Sequence, residues 1–345
     1  MLVVYSLDQS EQWDATVRSF ADHDAYWLSG YVKGFCLHGD GEPLLFHYDD
    51  GTTRGINVVM KRDISKDRHF TGVIPENEFF DFATPYGYGG WLIEGGERTG
   101  LFNAYETWCE KHGIISEFVR FHPVIKNHAW ADAYEVIPLG NTVVMDLSSP
   151  EVIWENIISK NRNMIRKAQK NGIKIYNGRY PEIYSKFREI YNGTMDKDHA
   201  EAYYYFDEPF YQSLLEDLPD NAQVFFADLG GQVIAASIML ATNGRMNYHL
   251  SGSIREFSNL APTNLLLYRA ALWGCANNCK TMLLGGGVGS GEDSLFKFKR
   301  SFYRGDDLCR FHIGKKIMIE QKYNELLGLR KELPTQNFFP LYRAD

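Results

Sequence analysis

Thr281-Met-Leu-Leu-Gly-Gly-Gly-Val-Gly-Ser-Gly-Glu-Asp-Ser-Leu-Phe-Lys-Phe-Lys-Arg-Ser-Phe302 is the stretch whose reading decides the fold. Met282 to Leu284 reads as a short buried strand. It runs straight into five glycines within seven residues: Gly285, Gly286, Gly287, Gly289 and Gly291. Backbone without Cβ atoms bends sharply and lets a ligand approach its N–H groups. An aromatic-basic ladder follows: Phe296, Lys297, Phe298, Lys299, Arg300 and Phe302. The aromatic rings anchor such a segment and leave three cations for an anion or a developing oxyanion. Two phosphate-loop motifs fail on the letters. Gly291 is followed by Glu292 where a P-loop needs Lys, and a Gly-x-Gly-x-x-Gly frame from Gly285 ends on Ser290. The other reading, a plain surface linker, does not explain why the aromatic-basic cluster follows at once.

Working outward, 345 residues suffice for two ordinary domains, and 44% hydrophobic residues supply a core. The net charge of -8 argues against a protein that coats nucleic acid with its whole surface, and no DNA partner is expected. Five scattered cysteines do not read as a disulfide framework or a metal set, so metal ligands are expected to be none. No signal peptide or membrane span is readable, which makes a cytoplasmic protein the default expectation.

Along the first half, Val32 to His38, Pro43 to Tyr48 and Thr52 to Met60 read as three strands. They stop at Gly39-Asp40-Gly41 and Asp49-Asp50-Gly51, both read as hairpin turns. A helix is expected over Arg98 to His112 and a strand over Ile114 to Phe121. The second half opens on a capping box of Ser148 with Glu151 around Pro150. Helices follow at Pro181 to Tyr191 and Glu208 to Leu218. Strands are then expected at Gln223 to Leu229, Gln232 to Ala241 and Arg245 to Ser251, with an Asn243-Gly244 hairpin. A helix over Pro262 to Cys279 leads into the strand before the glycines. The same order occurs twice, which predicts two similar α/β domains with mixed, mostly antiparallel sheets and flanking helices. The expected division is 1–145 plus 316–345, and 146–315.

Lys160, Arg162, Arg166, Lys167, Lys170 and Lys174 form a basic run with no acid inside it. Arg162, Arg166 and Lys170 share a helix face. One reading is a phosphate-rich partner such as nucleotide, CoA or RNA; the other is a solvated helix face. His122, after Arg120, and His249, beside Tyr248, are each candidates to move protons near neutral pH or to be packed structurally.

With these pieces in hand, the chain resembles tandem GNAT proteins, and specifically the Fem-type peptidoglycan-bridge aminoacyltransferases. The resemblance rests on Thr84-Pro-Tyr-Gly-Tyr-Gly-Gly90, Arg120-Phe-His-Pro123, Asn161-Arg162 with Ile165-Arg-Lys-Ala168, Tyr203-Tyr-Tyr-Phe206, Tyr248-His-Leu-Ser-Gly-Ser253, and Leu284-Gly-Gly-Gly287 followed by Asp293 to Arg300. It implies transfer of an acyl or aminoacyl group to an amine of a cell-wall or glycan precursor. No cofactor would stay bound, and the donor would be aminoacyl-tRNA or acyl-CoA. Partners would be a small-molecule, glycan or peptide precursor, and tRNA where it is the donor. Phe298 and Lys299 would lie at the reaction centre, with the Lys299 ammonium beside the tetrahedral oxyanion. Lys33, Tyr86, Arg120, His122, Arg162, Arg166, Thr194, Tyr248, His249, Gly285, Gly286 and Gly287 would bind substrate. The first domain would serve the acceptor and the second the donor. Two departures stand out. Asp196 occupies the place, two residues after Thr194, where the Fem pattern often has a nucleotide-binding arginine. Ile254 to Ala261 holds no glycine where a CoA-binding turn is expected. An alternative reading is a catalytically inactive GNAT-fold protein that binds such a precursor; a weaker one is acylation of a sugar amine in exopolysaccharide assembly.

Overall fold

The computed structural model describes residues 1–332 and 338–344. In chain order the elements are β1 (Leu2–Tyr5), α1 (Ser10–Arg18), α2 (Ser29–His38), β2 (Glu42–Asp49), β3 (Arg54–Asp63), β4 (Phe80–Ala83), β5 (Leu92–Glu94), α3 (Thr99–Lys111), β6 (Ile114–Arg120) and β7 (Glu135–Asp146). They continue with α4 (Pro150–Asn156), α5 (Ser159–Lys170), β8 (Lys174–Gly178), α6 (Pro181–Lys197), α7 (Glu208–Asp217), β9 (Ala222–Leu229), β10 (Gln232–Thr242) and β11 (Arg245–Ser253). The last are α8 (Pro262–Ala276), β12 (Thr281–Gly285), α9 (Ser294–Arg300), β13 (Cys309–Ile317) and α10 (Glu320–Gly328). The chain forms two compact units, residues 1–139 with 311–345, and residues 140–310.

In the first unit the strands run β1-β2-β3-β4-β6-β13, and β5 adds to β3. β4 and β6 are parallel and are linked through α3, because parallel neighbours need a crossover. The Asp49-Asp50-Gly51 turn is a true hairpin, with Asp49 opposite Arg54. Val32 to His38 is not a strand. It lies in α2, which buries Ser29, Gly30, Tyr31, Val32, Gly34 and Phe35 and ends at Gly39 with φ +100°. Small residues let this helix sink into the protein on most sides, and that erases the amphipathic pattern. Gly39 is therefore a helix cap rather than a hairpin residue.

The core of this unit includes two clusters. One, around Phe46, Phe82, Trp91 and Tyr105, packs against α3. The other joins Ile64, Phe70 and Ile115 to Tyr323, Leu326 and Tyr342 near the C-terminus. A buried ion network anchors that last segment. Asp81, with no solvent exposure, accepts from Arg62 Nε at 2.7 Å and from Arg343 Nε at 2.5 Å; Arg343 also reaches Asp67 at 3.1 Å. Burial alone would raise the Asp81 pKa, but the two guanidinium groups overcome it and hold the carboxyl below its ordinary value.

In the second unit the strands run β7-β12-β11-β10-β9-β8. All neighbours are antiparallel except β11 with β12, which α8 connects. Asn243 and Gly244 both have positive φ, as a tight two-residue hairpin requires. The cap of α4 is Ser149, whose Oγ accepts from Val152 N at 3.2 Å, and not Ser148. One core runs from Val143 through Phe225, Met239 and α8 to Phe296 and Phe302.

Removing Arg343 leaves Asp81 buried with one guanidinium instead of two. Arg343→Met is expected to destabilise the protein by about 3 kcal/mol in urea unfolding at pH 7. The contribution of Asp81 is present above its unfolded pKa and is lost as pH falls, so the deficit should shrink on acidification.

Candidate active site

The second unit opens its sheet at one place. β11 and β12 pair only from Arg245 opposite Thr281 to Asn247 opposite Leu283. Both strands break register just beyond. On β11, Tyr248 faces Met239 and Leu250 faces Ile238, so His249 is an extra bulged residue. On β12, Leu283 faces Val144 and Gly285 faces Val143, so Leu284 is extra. Such bulges bend strands and re-aim side chains. The two parallel strands thus diverge at the start of the glycine run.

The glycines are held in one conformation. Gly285 has φ +80°, a left-handed conformation that an L side chain rarely adopts. A Cβ on Gly287 would overlap the Gly291 carbonyl oxygen and Asp293 Oδ1. Asp293 caps α9 by accepting from Phe296 N at 2.8 Å, and it also takes Val288 N at 3.2 Å. The loop is therefore closed onto the start of the helix that follows.

That helix decides which cation is useful. Phe296, Lys299 and Phe302 recur every third residue and point inward, with Lys299 only 9% exposed. Lys299 Nζ donates to the Gly286 carbonyl at 2.7 Å and stands 5.9 Å from the centre of the Tyr248 ring. Tyr248 is hydrogen-bonded to Ser237 and Ser251, whose hydroxyls are 2.8 Å apart across β10 and β11. Burial lowers the Lys299 pKa to about 8, with Asp293 opposing the shift. Lys297 is exposed and Arg300 pairs with Asp306 at 3.3 Å, so Lys299 is the one of the three cations held in a buried position. Phe298 packs beside the core, 5.5 Å from Phe302.

The remaining candidates fall into separate groups. His249 is partly buried, and desolvation lowers its pKa to about 3, so it stays neutral and is a weak proton acceptor. Thr194 ties α6 to the end of β11 by accepting from Ser253 N at 2.9 Å. Asp196, one half-turn on, accepts from the Tyr205 hydroxyl at 2.8 Å. Arg162 and Arg166 lie 5.9 Å and 5.1 Å from the Trp154 ring.

A second group belongs to the first unit. Tyr86 stacks on Phe35 at 5.8 Å, and its carbonyl accepts from the Tyr31 hydroxyl. Lys33 is on the same helix as Phe35 and is half-buried. Arg120 donates to the Gly87 carbonyl at 3.0 Å and lies 5.5 Å from the Phe311 ring. His122 is fully buried among Tyr26, Trp27 and Tyr88. Its Nδ1 accepts from Val124 N and Ile125 N at 3.2 Å, and its Nε2 is 3.7 Å from Asp24. A ring that serves two backbone donors and sees no solvent anchors this turn.

Sequence reasoning missed Asp293, although Asp-x-x-Phe before an aromatic run is a legible N-cap signal. It also missed Ser237 and Ser251, which carry no local signal because the fold brings them together.

Residues 159–300 match the family model of an acetyltransferase (GNAT) domain. The second unit is built on a GNAT domain. FemX has the same overall fold, with a TM-score of 0.68 at 12% identity over 94% of this chain and 99% of that one. A conserved protein of unknown function from Bacteroides thetaiotaomicron follows at 0.61 and 10% identity, over 92% and 100%. The C-terminal domain of a putative lysylphosphatidylglycerol synthetase from Agrobacterium fabrum gives 0.57 at 13% identity, over 90% and 92%. No curated protein matches significantly. The fold is that of two tandem GNAT-like domains.

Burying the Lys299 charge opposes folding, because the native state prefers the neutral amine. With a native pKa of about 8 against an ordinary 10.5, stability should rise as pH increases between those values. Lys299→Met is expected to stabilise the protein at pH 7 by up to about 3 kcal/mol. The gain should fade toward pH 10.5, which thermal melts across that window would show.

Proposed function

We propose that this chain is an N-acyl or aminoacyltransferase in which Lys299 stabilises the tetrahedral oxyanion. The observation that carries the reading is the buried Lys299 ammonium, fixed on the Gly286 carbonyl beside the diverging strands of a GNAT domain. One of its three protons is engaged there, which leaves two to donate. An amine acceptor attacks the donor carbonyl to form the new carbon–nitrogen bond, and negative charge collects on the carbonyl oxygen. The carbon–oxygen or carbon–sulfur bond to the carrier then breaks, with the amine proton leaving on the carrier oxygen or sulfur. A preorganised ammonium in a water-poor site lowers that barrier more than one in bulk water.

We assign the donor to the second unit and the acceptor to the first, where Tyr86 and Arg120 share the Tyr86–Gly87 turn and Lys33 lies on the neighbouring α2. Arg162 and Arg166 on Trp154 suit a phosphate-bearing donor. FemX is named for a Fem protein, and its likeness supports aminoacyl transfer alongside acyl transfer. Asp196, held by Tyr205, is an acid where a nucleotide diphosphate would need a cation, which favours an acceptor without that group. The absence of glycine from Ile254 to Ala261 favours aminoacyl-tRNA over acyl-CoA.

Lys299→Ala is expected to lower kcat by about 10²–10³ with little change in KM. Lys299→Arg should not restore it, since a planar guanidinium is no replacement for a compact ammonium. The assay pairs acetyl-CoA and aminoacyl-tRNA as donors with amine-bearing peptidoglycan precursors, read by mass spectrometry. Full turnover by Lys299→Ala contradicts the reading. So does an acceptor that stabilises the protein while no donor is ever consumed, the behaviour of an inactive binding protein. Because the protonated form is the active one, kcat/KM should fall as pH rises through about 8.

A further inference from the structure

From Asn156 to Pro181 the chain has no acidic residue and seven cations, in a protein of net charge -8. Helix α8, which packs beside α5, is also free of acids and carries Arg269. Among the described residues Lys160, Lys167, Lys170, Lys174 and Arg269 form no ion pair. Asp228 lies opposite Lys174 in β9, but its carboxylate accepts from Gly231 N and makes no ion pair with Lys174. On α6, by contrast, Lys186 pairs with Glu189, and Arg188 pairs with Asp207 and Glu208. The cations around α5 therefore create a positive field that no ion pair among the described residues neutralises.

A groove opens beside these cations. It encloses about 450 Å³ between the end of α5, the edge strand β8 and α8. Its floor is Ile173, Ile175 and Phe225. Its wall is one stripe of α8, Leu265, Arg269 and Trp273, spaced four residues apart. Lys174 and Arg269 supply charge to the lining. Tyr176, 47% exposed, also lines the groove, and Tyr180, 44% exposed, follows close after β8.

We propose that this face docks on an anionic phospholipid surface. The cations meet headgroup phosphates, the exposed tyrosines enter the interfacial layer, and the apolar groove takes an aliphatic segment. Charge complementarity selects an anionic occupant. The apolar floor selects among anionic occupants, because a sugar-phosphate backbone has nothing to fill it and a lipid chain does. The groove lining shares no residue with the Lys299 site, so its failure and that of the transferase reading are distinguishable.

The test is co-sedimentation of the full chain with vesicles of phosphatidylcholine alone and of phosphatidylcholine mixed with phosphatidylglycerol. Binding is expected to the mixed vesicles only, and to weaken as salt rises. Each cation near the surface contributes about fivefold, so the triple variant Lys170→Ala, Lys174→Ala, Arg269→Ala should bind about a hundredfold more weakly. Tyr176→Ser should also weaken binding. Circular dichroism checks that both variants stay folded. The proposal is overturned by equal binding to both vesicle types or by undiminished binding of the triple variant. It is equally overturned if the protein binds an RNA oligonucleotide and ignores anionic vesicles.

Discussion

A positive charge held out of water against one backbone carbonyl is the constraint on which this site depends. The ammonium of Lys299 meets the Gly286 oxygen at 2.7 Å with almost no solvent contact. That geometry requires a chain that turns hard after β12, and hence glycines at 285 and 287, where a Cβ is strained or has no room. It also requires a short helix that starts at a fixed point, which Asp293 ensures by capping α9 and closing the loop. Phe296 and Phe302 then set the rotation of the helix so that the lysine between them faces inward. Loop, cap and aromatic anchors all serve the placement of one amine. The arrangement opposes stability, which is the pattern expected when a charge is kept for chemistry.

The surrounding sheet contributes by failing to pair. A parallel pair that stayed in register along its whole length would leave no opening beside Tyr248. The extra residues His249 and Leu284 bring pairing to an end at the same level on both strands. Tyr248 is then braced by hydrogen bonds with Ser237 and Ser251. A GNAT domain is thus recognisable here as a physical device as well as a family match: a sheet opened between two parallel strands, with a glycine turn at the mouth.

Much of this was legible in the residues. Apolar runs around the Asn243-Gly244 turn located β10 and β11 of the second unit, and the Asp50-Gly51 turn located the β2–β3 hairpin of the first, because hairpin chemistry is local. The strand–glycine–aromatic order located Lys299. What escaped were features set by tertiary contact. Val32 to His38 reads as a strand because its helix is buried on most sides and lacks an amphipathic stripe. Ser149 outcompetes Ser148 as a cap through a one-residue shift that the letters do not resolve. The histidines looked equally reactive in sequence. Only the fold shows that His122 accepts from two backbone donors and that desolvation lowers the His249 pKa to about 3. The bulges and the Ser237–Ser251 contact have no sequence signature, since they depend on register between strands.

The most direct test of this account is the protonation state of the one amine. NMR titration of the Lys299 side chain, assigned by comparison with Lys299→Met, reports its pKa in the folded protein. The account predicts a midpoint of about 8. A midpoint near the ordinary 10.5 would mean a solvated surface lysine, and would contradict the buried oxyanion partner on which the functional reading rests.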